Sequence, residues 1–405
     1  MMPEVSLNGI VLVAAIAFLA PLLLGLAPRL RLPAVVLEIL AGIAIGPSGL
    51  GWVQPDVVIE VLALVGLAML LFLAGMEIEP NRFRGRPLKI SAAGFAISIA
   101  AGLLIGTLLA AFGMLDNPVL FAIALSATSL GLITPVLKDA GQSATPLGQL
   151  TIAASSTADF ASVILLSLLF SREGAGAGST LILLGGFALL AALLGLALAG
   201  AGRSMKISET LLRLQDTTAE IRVRGAMLLL VGMSALAQHL GLEVILAAFI
   251  AGAVLKLVDR DVMLTHPHFR LKLESIGYGF VIPVFFVASG LRFNLASLFE
   301  SASSLAAVPV FLAALLIVRG LPALLFRADL GNRGVLVAAL LQATSLPFIV
   351  ATTQIGLELG AMTQGAAAAL VAAGLLSVII FPATALTLLQ RSSSERPAAE
   401  PDATG

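Results

Sequence analysis

The sequence predicts an all-α membrane protein of about thirteen transmembrane helices. Three observations carry that prediction. Apolar residues make up 59% of the chain and charged residues 11%, whereas a soluble domain is usually about a quarter charged. The apolar residues fall in continuous runs, several longer than the ~20 residues that cross a bilayer core of about 30 Å. The runs do not alternate apolar with polar, as the strands of a membrane barrel would.

The runs place spans at roughly 6–27, 33–50, 57–76, 88–113, 117–138, 147–170, 179–201, 222–240, 243–258, 275–294, 302–326, 331–356 and 361–389. Met1-Met2-Pro3-Glu4 holds no basic residue, and the run that follows is longer than a leader's apolar stretch, so 6–27 reads as the first span. Residues 1–390 read as one membrane domain. The segment 391–405 is rich in Ser, Pro and Ala and reads as a disordered cytoplasmic tail. Of the 23 Lys and Arg, all but Arg172, Arg292 and Arg319 fall in the loops after the odd-numbered spans and in the tail. Positive charge stays cytoplasmic, so the N-terminus is expected outside and the C-terminus inside a cell membrane. Net charge is zero and points to no nucleic acid; the chain has no Cys, which excludes disulfides and thiolate metal sites. His266 and His268 sit on a polar linker with no further ligands, so a histidine metal site is not expected.

The two halves echo each other. Span 5 carries Ala127-Thr128-Ser129-Leu130 and span 12 carries Ala343-Thr344-Ser345-Leu346. Span 3 ends Phe72-Leu73-Ala74-Gly75-Met76, and span 10 has Phe286-Val287-Ala288-Ser289-Gly290-Leu291; Leu37-Glu38 in span 2 is matched by Leu242-Glu243 at span 9. Matching spans lie an odd number apart, so the copies run in opposite directions. Inverted repeats mark secondary transporters, with the site near the midplane at the repeat interface. Pro135 and Pro347 follow the two A-T-S-L segments and are expected to break their helices. Broken helices offer carbonyl oxygens and half-helix ends to an ion. The alternative is that these hydroxyls only satisfy backbone groups or pack helices.

Four ionisable residues lie within or at the margins of spans: Glu38, Asp159, Glu243 and Arg319. A charge at the bilayer centre costs at least ~2.5 kcal/mol, so such residues usually have a task. Asp159 is the deepest and follows Ser155-Ser156-Thr157-Ala158. A carboxylate among hydroxyls and freed carbonyls suits a hard, partly dehydrated monovalent cation, and can take a proton instead. Arg319 is its natural partner, with a snorkelling side chain as the alternative. Glu243 reads as a solvated helix start and Glu38 as structural. Gly42 and Gly46 form a helix-packing face.

Four stretches identify a family. LPAVVLEILAGIAIGPSGLG (32–51), LVGLAMLLFLAGMEIE (64–79), SATSLGLITPVLKDAG (126–141) and PVFFVASGLRFNL (283–295) resemble the second, third, broken and tenth helices of the cation:proton antiporter superfamily. The nearest branches are bacterial sodium/proton antiporters and the membrane parts of Kef-type potassium efflux systems. The resemblance implies a transporter, not an enzyme, with an elevator-like movement and no cofactor. Helices of about 6–76 and 222–294 would form a scaffold that dimerises. Helices of about 88–170 and 302–389 would form the moving core, with the broken spans 5 and 12 crossed near the ion. It implies Asp159 as the residue that binds sodium or potassium, and proton, in turn. Thr128, Ser129, Ser155 and Ser156 stand beside it, with Thr344 and Ser345 on the second broken helix and Arg319 as the compensating charge.

The chain departs from the family pattern at Ala158, where relatives carry Asp or Asn, and at Thr344-Ser345-Leu346, where many carry Gly-Glu. With one carboxylate placed for transport, exchange is expected to be electroneutral. Kef-type proteins carry a nucleotide-binding domain that is not read here, so nucleotide gating within this polypeptide is not expected. A passive cation channel, a sodium-coupled symporter and a membrane sensor are the competing readings.

Overall fold

The computed structural model describes residues 7–26, 33–77, 85–170, 185, 186, 189, 193, 220–240, 244–258, 269–300 and 302–394. Among them every regular element is helical. In chain order these are α1 (Leu7–Leu26), α2 (Ala34–Ile45), α3 (Val57–Met76), α4 (Gly85–Ala111), α5 (Pro118–Ser126), α6 (Leu130–Asp139), α7 (Pro146–Leu169), α8 (Ile221–His239), α9 (Val244–Val258), α10 (Phe269–Ile276), α11 (Ile282–Leu291), α12 (Leu295–Phe299), α13 (Ala302–Gly320), α14 (Arg327–Gln342), α15 (Pro347–Glu358) and α16 (Gln364–Ser394). A π turn, Gly277–Val281, joins α10 to α11, and a 3₁₀ turn, Leu321–Phe326, joins α13 to α14. Eight helical stretches among the described residues are long and apolar enough to cross a membrane, and Ala34–Ile45 and Val244–Lys256 are apolar but shorter. Most of the expected seventh span, together with Glu243, His266, His268 and residues 395–405, lies outside the described residues.

The chain forms two compact units. The first holds Met1–Asn81, Phe160–Leu305 and Val350–Ala368; the second holds Arg82–Asp159, Ala306–Ile349 and Ala369–Gly405.

In the first unit, helices meet backbone to backbone. A methyl group on Gly42 of α2 would overlap the Val287 carbonyl of α11, and one on Gly290 would overlap the Ile39 carbonyl in return. Gly75 of α3 meets Phe249 of α9, and Gly252 meets Phe72, in the same reciprocal way. Small residues allow this approach, which maximises van der Waals contact where lipid supplies no hydrophobic drive between helices. Gly42 and Gly46 thus pack α2 on α11, as their spacing suggests. Val13, Ile45, Ile59, Val284, Val287 and Leu291 fill the space around that contact.

In the second unit, α4 lies along α5, with Gly102 against Ala122 and Gly106 against Pro118. The rings of Phe121 and Phe311 pack 5.0 Å apart between α5 and α13. The connection expected between 326 and 331 is a short helical turn that ends at a kink. The change of direction comes at Gly331, at φ 65° and ψ 178°. Only glycine takes that backbone conformation without steric cost.

Candidate functional site

The A-T-S-L segments are the two helix breaks. α5 stops at Ser126, Ala127 is extended, and α6 starts at Leu130. α14 stops at Gln342, and α15 opens on Pro347, a first helical position where the missing N–H is not needed. The breaks touch. Ser129 N–H donates to the Thr344 carbonyl at 3.1 Å, and Thr128 Oγ1 donates to the Gln342 carbonyl at 3.0 Å.

Pro135, expected to break the first of these helices, lies inside α6 instead. The cause of the break is the capture of three successive amides. Thr128 N–H donates to Asp159 Oδ1 at 2.8 Å, Ser129 N–H goes to Thr344, and Leu130 N–H reaches Asp159 Oδ2 at 3.4 Å. None of the three is left to continue the helical ladder. Asp159, carried on α7, therefore caps the N-terminus of α6. Unpaired amides and the helix dipole favour an anion there.

Arg319, near the end of α13, is 1% exposed, which excludes a snorkelling side chain. Its Nε donates to Thr128 Oγ1 at 2.8 Å and approaches the Gln342 carbonyl at 3.5 Å. Its Nη1 donates to Ser98 Oγ at 3.1 Å, and Ser98 in turn donates to the Val318 carbonyl at 3.0 Å. Thr128 thus stands between the two charges, its amide on Asp159 and its hydroxyl under Arg319.

The other expected residues divide. Ser155 is buried one turn before Asp159, and its hydroxyl has no partner among the described residues. Ser156 is half-buried, and Thr157 commits its hydroxyl to the Ala153 carbonyl at 2.9 Å. Ser129 and Thr344 join the site through their backbones; the Thr344 hydroxyl returns to the Leu340 carbonyl of its own helix at 3.1 Å. The Ser345 peptide is clamped by Ser377 of α16, which accepts its N–H at 3.3 Å and donates to its carbonyl at 3.1 Å. All these residues fall in the second unit. Glu38 is buried on α2, in the first.

Sequence reasoning missed Ser98, Gln342 and Ser377. An amide directly before an A-T-S-L segment was the available signal for Gln342. Single serines in apolar helices, as at Ser98 and Ser377, carry none. Among the described residues no group of three or more His, Cys, Asp or Glu could hold a metal ion. A cation here would rest on one carboxylate and neutral oxygens.

A family model for the transmembrane part of sodium/hydrogen exchangers matches residues 14–391. The chain belongs to the sodium/hydrogen exchanger family. Within that family it is similar to YjbQ of Bacillus subtilis, named for sodium/proton antiport, at 31% identity over 94% of this chain; the chain spans 63% of that relative's length. It is also similar to GerN of Bacillus cereus, named as a sodium/proton–potassium antiporter, at 26% identity over 88% of this chain and 90% of GerN. The exchanger fold is shared with the solved sodium proton antiporter MjNhaP1 of Methanocaldococcus jannaschii at pH 8. That match has a TM-score of 0.63 at 20% identity, over 95% of this chain and 98% of the other.

Proposed function

We propose that this chain exchanges a monovalent cation, sodium or potassium, for protons across the cell membrane, one for one. The observation that carries the reading is the Asp159 carboxylate at the meeting of two helix breaks, on the amides of Thr128 and Leu130. GerN, named for both ions, is the reason both are kept.

Asp159 takes the two ligands in turn. Ionised, its oxygens accept from the α6 N-terminus and carry the negative charge a cation needs, with the Ser155 hydroxyl one turn before it in the chain and Ser129 and Ser156 as further oxygen donors. A proton on the same carboxylate cancels the charge the cation needs. Arg319, on the other side of Thr128, offsets the carboxylate when neither ligand is bound. Ala158 can carry no proton, so one carboxylate serves one cation or one proton per crossing. The helices of about 88–170 and 302–389 act as the moving core of an elevator. Those of about 6–76 and 222–294 act as a dimerising scaffold, with the N-terminus outside and the C-terminus in the cytoplasm.

The test is proton movement in proteoliposomes after a sodium or potassium pulse, with Asp159→Asn as the control. A pulse moves protons in the wild type, and the Asn variant folds without exchanging. Wild-type exchange by a folded Asn variant overturns the assignment. Cation flux without proton movement favours a channel, and a requirement for an organic solute favours a symporter.

A further inference from the structure

We propose that the Gln342 side chain is a direct ligand of the transported cation, through its amide oxygen. The inference rests on the reading of Asp159 above and extends it to a residue on the second break.

Gln342 ends α14 and is wholly buried. Its main-chain carbonyl is committed to the site, accepting from Thr128 Oγ1 at 3.0 Å and lying 3.5 Å from Arg319 Nε. Its side chain is idle: neither Nε2 nor Oε1 has a hydrogen-bond partner among the described residues. An unpaired polar group in a buried site costs about 1–3 kcal/mol. Several buried serine and threonine hydroxyls are also without partners among the described residues. A hydroxyl, however, can relieve itself by rotating one bond toward a carbonyl of its own helix. Gln342 is the one buried side chain among the described residues with both an idle donor atom and an idle acceptor atom, and its acceptor is open to a group from outside the protein.

Two other idle oxygens suggest what that group is. Ser345 Oγ, three residues on, and Ser155 Oγ, one turn before Asp159, are both wholly buried and without partners among the described residues. Gln342 Oε1, these two hydroxyls and the Asp159 carboxylate are all oxygen donors within the second unit, the chemistry that suits a hard cation. The amide oxygen also has a property the carboxylate lacks: it does not take up a proton near neutral pH. A ligand of that kind strengthens cation binding and leaves proton binding at Asp159 unchanged. Gln342 would then set the balance between the two competitors for one carboxylate.

The experiment uses the full chain with Gln342→Leu, and Gln342→Met as a second variant that keeps a flexible side chain of similar volume. Exchange is measured in proteoliposomes over a sodium series and a potassium series. Thermal unfolding of the purified protein is measured in sodium, potassium and choline chloride. The expected result is a rise of about tenfold in the KM for the transported cation with kcat nearly unchanged, a loss of ~1.4 kcal/mol of cation binding. The cation-dependent shift in unfolding temperature should need about tenfold more cation to reach its wild-type size, and the value in choline should stay or rise because the idle amide is gone. A wild-type KM with the shift retained overturns the proposal. So does a lower unfolding temperature in choline with the shift retained, which assigns Gln342 to a structural water. Exchange and a cation-dependent shift that survive in Asp159→Asn refute the reading of Asp159 itself, whatever Gln342 does.

Discussion

Replacing Thr128 by valine separates the two jobs of that residue. The substitution leaves the amide on Asp159 in place and removes only the hydroxyl. In the wild type that hydroxyl accepts from Arg319 Nε at 2.8 Å and donates to the Gln342 carbonyl at 3.0 Å. After the change, Nε retains only the 3.5 Å approach to the same carbonyl, while Nη2 already has no partner among the described residues. A hydrogen bond from a charged donor is worth about 1.5–3 kcal/mol and a neutral one about 0.5–1.5 kcal/mol, so roughly 2–4 kcal/mol of stability should be lost. Thr128→Ser restores the hydroxyl and should recover most of it. Denaturant or thermal unfolding of the purified protein reads the loss, with proton movement in proteoliposomes measured in parallel. Exchange should fall in the valine variant and return in the serine variant. A valine variant within about 0.5 kcal/mol of the wild type, the range of an ordinary surface substitution, and with wild-type exchange would refute the bridging role of Thr128.

Further outcomes follow from the same geometry. If Asp159 acts alone, a potassium–valinomycin potential should neither drive nor oppose sodium exchange; a rate that follows the voltage would show a second moving charge. Arg319→Lys should slow exchange and destabilise the fold, because a single ammonium cannot reproduce the fork that reaches both Ser98 and Thr128; full activity would show that the charge alone matters. Gly42→Ala places a methyl group on the Val287 carbonyl and should cost about 1–3 kcal/mol of stability through backbone displacement, read by unfolding; an unchanged stability would show that α2 and α11 part without penalty. Burial pushes the Glu77 carboxyl up to about 7, against the pull of Arg270 and with a small push from Glu274. The folded protein therefore keeps a proton that the unfolded chain releases near 4.5, so stability should fall as pH rises from about 4.5 to about 7. Glu77→Gln should flatten that stretch of the stability curve, and an unchanged slope would rule Glu77 out as its source.

Much of the helical outline could be read from the sequence, because bilayer-length apolar runs leave little choice of structure. The meeting of the A-T-S-L segments could also be anticipated, since paired hydroxyls in two such runs are hard to explain singly. The mechanism of the breaks could not. Pro135 is a local signal and misled, because the first break is made by Asp159 and Thr344, distant in sequence, taking amides from residues 128–130. Composition placed Thr344 on the second broken helix but could not show that its hydroxyl donates to the carbonyl four residues back. Ser98 matters only because it stands under a guanidinium more than two hundred residues away, and no periodicity encodes such a partner.

The two hydroxyls beneath Arg319 have a consequence for the path of protons. A guanidinium can only donate, so Ser98 Oγ and Thr128 Oγ1 must each receive its hydrogen on a lone pair. Each hydroxyl then points its own hydrogen at a main-chain oxygen, that of Val318 or Gln342. Proton hopping needs a chain in which every link can pass a hydrogen on, and a peptide oxygen is a terminus. Both routes leading away from Arg319 are therefore dead ends. On the proposed reading of Asp159, neither hydroxyl beneath Arg319 can hand a proton on to it.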